Sequence, residues 1–75
     1  MDTVTMQPVR LSLSGWRKAR NLTQREMANR IGVSEPTYVR WEKDPSKISL
    51  RKAVEISRVL NTDFDNILFF GDADT

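Results

Sequence analysis

The segment Thr23 to Lys43 holds two helix starts separated by one tight turn, and this spacing constrains the fold more than any other feature. Thr23 opens T-Q-R-E, a capping box in which the Thr23 hydroxyl accepts from the Glu26 backbone N–H while the Glu26 side chain reaches back. Met27, Ala28 and Ile31 fall on the inner face of this helix. Gly32-Val33 stops it, Ser34 caps the next helix, and Pro36 lies in the first turn, where a missing N–H costs little. Tyr38 and Trp41 form that helix's buried stripe. Two helices joined by so short a turn cannot lie antiparallel, so they cross steeply. Gly32 supplies the positive φ that the turn demands and brings the backbones close, and Ala28 is small enough to let the helices approach.

Caps and breakers predict three further helices. Ser12 to Arg20 places Leu13, Trp16 and Arg20 on one face, and Asn21 suits a left-handed helix end. Asp44-Pro45-Ser46 forms a loop, and Ser49 caps a helix whose broad apolar side is Leu50, Ala53, Val54, Ile56, Val59 and Leu60. Asn61 ends that helix, and Asp63 is expected to cap a short fifth one carrying Phe64, Ile67 and Leu68, with Asp65 in its first turn. The only strand-like pattern is the weak V-R-L at Val9 to Leu11. The expected organisation is a flexible lead-in over 1–10, one all-α five-helix domain over 11–70 and a short acidic tail over 71–75. Leu68 is assigned to the core, and one of Phe69 and Phe70 to an interface.

Seventy-five residues leave room for one small domain, since folding units run from roughly 50 to 200 residues. The chain has no Cys and no His, which excludes disulfides, the usual zinc ligands and Cys-His or Ser-His chemistry. No metal and no cofactor are expected. No apolar run approaches the ~20 residues of a membrane span and the first residues lack a signal-peptide layout, so a cytoplasmic location away from membranes is expected. Net charge is +2, but residues 10–58 carry all twelve Lys and Arg against five acids, a local excess of +7 that attracts polyanions. The paired carboxylates Asp63 and Asp65 are the only visible acid-base candidates, and they read more simply as helix-start residues, so catalysis is not expected.

A helix pair presenting its second helix as a ridge fits the ~12 Å major groove of B-DNA. Over L-T-Q-R-E-M-A-N-R-I-G-V-S-E-P-T-Y-V-R-W-E the chain resembles the lambda-repressor-like, Xre/Cro-type helix-turn-helix proteins. The matching elements are Arg17, Leu22-Thr23-Gln24, Ala28, Gly32-Val33-Ser34, Trp41-Glu42, Ser49-Leu50, Ile56 and Leu60, within about residues 11–68. The resemblance implies a five-helix bundle that binds a double-stranded DNA operator, often as a two-fold homodimer, with Ser34 to Lys43 as recognition helix. It also implies a salt bridge between Arg17 and Glu42.

Within that frame Arg40 is the first candidate for base contact, because a guanidinium bonds bidentately to guanine O6 and N7. Glu35 and Thr37 project from the first turn, and Glu35 can accept from cytosine N4. Pro36 departs from the polar residue often found there and offers only apolar contact, while Val39 either touches a thymine methyl or packs at the edge of the core. Phosphate contacts fall to Gln24, at the start of its helix, and to Lys43, Ser46, Lys47 and Arg51 around the loop after the recognition helix. Lys18, Arg20, Arg25 and Arg30 are assigned to solubility, and Trp16 and Trp41 to the core. The expected function is a transcriptional regulator, a phage or mobile-element-type repressor or Cro-like switch that occludes a promoter. The alternative is a protein-interaction module, such as an antitoxin, whose DNA binding is secondary to a regulatory protein partner.

Overall fold

The computed structural model describes residues 9–69. Residues 1–8 of the expected 1–10 lead-in, Phe70 and the expected tail over 71–75, with their assignments, lie outside the described residues. The order of elements is β1 (Leu11–Ser12), α1 (Leu13–Ala19), α2 (Gln24–Arg30), α3 (Glu35–Lys43), a 3₁₀ turn (Pro45–Lys47), α4 (Leu50–Leu60), a second 3₁₀ turn (Phe64–Asn66) and β2 (Ile67–Leu68).

Each α-helix begins the same way. Ser12, Thr23, Ser34 and Ser49 stand at the N-caps in extended conformation, and each side chain accepts from the backbone N–H three residues on. Each cap satisfies a donor that the first turn cannot bond internally. At Thr23 the box is complete, because the Glu26 carboxylate also accepts from the Thr23 N–H at 2.8 Å. Three helices also end alike: Asn21, Gly32 and Asn61 take positive φ of 59°, 73° and 54°. The residue after each donates to a carbonyl five positions back: Leu22 to Arg17, Val33 to Ala28 and Thr62 to Ser57, at 3.0–3.1 Å. These are Schellman closures, which reverse the chain within about two residues.

Tyr38, Leu13, Met27, Ile56 and Leu60 are the largest fully buried side chains, so all four helices feed one core. Ala28 is buried as expected. Gly32 is not a point of close approach: a Cβ there would meet nothing within 4 Å, so its positive φ alone favours glycine. Leu50 does not join the apolar side of α4, since it opens the helix with 71% exposure. Trp16 is buried, whereas Trp41 is only half-buried against the core.

The fifth helix does not form, and the described residues hold four α-helices. Asp63 makes no capping hydrogen bond, and Phe64–Asn66 completes only one 3₁₀ turn. So short a segment cannot recover the cost of helix nucleation. Ile67 and Leu68 instead run extended beside Leu11 and Ser12 as a parallel pair, with Leu11 opposite Ile67 and Ser12 opposite Leu68. The Trp16 indole N–H donates to the Asn66 carbonyl at 2.8 Å, occupying an acceptor that a continuing helix would need. Ile67 and Phe69 are buried, Leu68 is half-buried, and Phe69 stacks on Phe64 with ring centroids 5.1 Å apart.

Candidate nucleic-acid interface

Tyr38 fixes the orientation of α3: its side chain is fully buried, so the opposite face turns to solvent. That face carries Glu35, Pro36, Val39, Arg40 and Lys43, whose helical spacing forms one stripe along an open depression of about 600 Å³. Glu35, Pro36 and Arg40 therefore stand together. Thr37 does not line the depression; its N–H and hydroxyl bond the Ser34 hydroxyl at 3.2 and 2.9 Å. Its hydroxyl accepts in the second bond, leaving its own proton to donate. Val39 is half-buried at the rim between depression and core.

Glu42 faces inward. Its carboxylate accepts from Arg17 Nε at 2.6 Å and from Gln24 Nε2 at 3.0 Å, while Arg17 Nη1 donates to the Leu22 carbonyl at 2.8 Å. The Arg17 and Glu42 side chains are only 10% and 8% exposed, so the ion pair is buried and hydrogen-bonded on both sides. The bond to Glu42 raises the Arg17 pKa above its ordinary range against the pull of burial. Burial pushes Glu42 upward, but the donors around it, Arg17 foremost, outweigh that and hold its carboxyl below the usual range. The Tyr38 hydroxyl is buried beside the pair without a well-formed hydrogen bond, and burial drives its pKa far up.

Gln24 is consequently held between the buried pair and the start of α2. One amide N–H is spent on Glu42, leaving the second N–H and the carbonyl oxygen for an outside partner. Lys43, Lys47 and Arg51 are exposed at the end of α3, in the following 3₁₀ turn and in the first turn of α4. Ser46 is committed differently: its hydroxyl and its N–H both donate to Asp44 Oδ1, at 2.5 and 3.3 Å, so it must give up a bond to grip a phosphate.

Residues 14–67, well over half of the chain, match the model of a family described as helix-turn-helix. The chain belongs to the helix-turn-helix family. It is 37% identical over 62 residues to an uncharacterized HTH-type transcriptional regulator of Archaeoglobus fulgidus, covering 83% of this chain and 87% of that protein. A second regulator so named in the same organism is 34% identical over 64 residues, covering 85% of this chain and 91% of its own length. A third, from Methanocaldococcus jannaschii, is 32% identical over 60 residues, with 80% and 91% covered. No solved structure matches the chain.

Within this helix-turn-helix unit, three cations assigned to solubility or left unassigned turn out to be bonded. Arg20 lies over the Trp16 ring at 5.1 Å and donates to the Leu60 and Asn61 carbonyls at 2.6 and 3.3 Å, tying α1 to the end of α4. Lys52 donates to the Ile31 carbonyl at 2.9 Å, holding α4 to the end of α2, and pairs with Glu55 at 3.1 Å. Arg25 on α2 pairs with Glu35 on α3 at 3.3 Å. Sequence spacing signals the Lys52–Glu55 and Trp16–Arg20 pairs, three and four residues apart; the other contacts join residues brought close by the fold. Among the described residues no helix is long and apolar enough to cross a membrane.

Proposed function

We propose that this chain is a sequence-specific double-stranded DNA-binding transcriptional regulator that reads the major groove with α3. In this reading it is a repressor or Cro-like switch of phage or mobile-element type that binds operator DNA and covers a promoter. The carrying observation is the stripe of Glu35, Pro36, Val39, Arg40 and Lys43, turned outward on a capped helix whose other side is anchored by buried Tyr38. The names of the relatives, HTH-type transcriptional regulators, support the same direction.

Arg40 reads guanine through paired donors, with Glu35, Pro36 and Thr37 completing base contact at the start of α3. Gln24, Lys43, Ser46, Lys47 and Arg51 contact phosphates and hold α3 in register. Arg17 and Glu42 keep α1, Gln24 and α3 in fixed relation. The role is binding, with no catalytic step. One module reaches few base pairs, so two copies act as a homodimer on half-sites ~34 Å apart.

Selection of bound duplexes from a random pool at about 0.15 M salt, near physiological ionic strength, tests this. Enrichment of an inverted repeat with half-sites one helical turn apart is expected. If only salt-sensitive binding without sequence preference is recovered, the regulator reading fails and a protein-interaction module takes its place.

A further inference from the structure

Arg25 and Glu35 sit on different helices, and their side chains meet at the turn, Nε to Oε1, at 3.3 Å. The side chains are 77% and 41% exposed, so the pair adds little to folding. Its position matters more than its stability. Glu35 is the only acid among the residues lining the α3 depression, which otherwise carries Arg40, Lys43 and apolar surface. A bare carboxylate there repels the phosphates of any duplex laid on that face.

We propose that Arg25 is a positioning residue for Glu35, and that the two read one base pair as a unit; this rests on the reading that α3 enters the major groove. Arg25 cancels the Glu35 charge and restrains its rotamers. Oε1 stays with the guanidinium, while Oε2 is free to accept from an exocyclic amino group on the major-groove edge, cytosine N4 or adenine N6. Arg25 spends one of its five N–H donors on Glu35, and the rest of its exposed guanidinium is available to a backbone phosphate. The unit thus links a base edge to the backbone beside it. Because a bound duplex excludes water, the weak surface pair strengthens when DNA arrives.

A double-mutant cycle tests this with the wild type, Arg25→Gln, Glu35→Gln and the double variant. A random-pool selection first finds the base position whose preference changes in Glu35→Gln; affinities are then measured on four duplexes differing only there. Thermal melts of the four proteins should coincide, since the pair is exposed. Arg25→Gln should lose about tenfold discrimination at that position, as Glu35→Gln does, with no further loss in the double variant. The proposal is overturned if Arg25→Gln weakens all four duplexes equally with discrimination intact, or if the two losses multiply. It is also overturned, with the wider reading untouched, if no position responds to Glu35→Gln. A wild type without any sequence preference overturns both.

Discussion

Glu42 carries two duties through one carboxylate: it neutralises buried Arg17 and orients Gln24 at the start of α2. Because its folded pKa is depressed, the stability it contributes is fully present above its unfolded pKa of roughly 4.3 and is lost as pH falls through the folded value. Glu26, held low by its bonds to Thr23, acts in the same direction. Urea unfolding as a function of pH should therefore show stability falling below about pH 4.3, with a shallower fall in Glu42→Gln; an unchanged slope contradicts the assignment. At neutral pH Arg17→Ala strands the buried carboxylate and should cost on the order of 3 kcal/mol. Gly32→Ala isolates a different effect. The added methyl meets no atom within 4 Å, so the loss of about 1 kcal/mol expected in urea melts comes from the positive φ alone.

The helices are legible in the sequence because their ends are written locally. A hydroxyl three residues before its N–H partner specifies each start, and Asn or Gly at the left-handed position specifies three of the ends. Thr23→Ala should remove one of these signals and cost about 1 kcal/mol in thermal or urea unfolding, with α2 the element affected. What was not legible depends on long-range partners. The Phe64 to Leu68 segment has helix-like apolar spacing, but strand pairing with Leu11–Ser12 and the Trp16 bond to Asn66 decide its conformation, and neither partner is close in sequence. The outward stripe of α3 could be read from periodicity, since Tyr38 fixes the buried side. The Arg25–Glu35 pair and the Arg20 bonds to the Leu60 and Asn61 carbonyls could not, because they join separate elements.

At the scale of the whole molecule, one core sets how α3 is presented to solvent. Leu13, Met27, Tyr38, Ile56 and Leu60 lock the four helices together, so α3 can present its outer face without depending on the contacts it makes there. On the proposed reading, the excess of basic residues over 10–58 supplies long-range attraction to DNA, and Arg40 with its neighbours on the outward face of α3 supplies sequence preference. Attraction and discrimination should therefore separate on mutation. The most direct measurement compares Arg40→Ala and Gln24→Ala with the wild type on a selected duplex and a scrambled one, across a salt series. Arg40→Ala should lose preference at one base position, about 1–3 kcal/mol, while keeping its binding to scrambled DNA. Gln24→Ala should weaken both duplexes alike. If Arg40→Ala instead weakens both duplexes equally, with every base preference intact, α3 does not read the groove through its outward face.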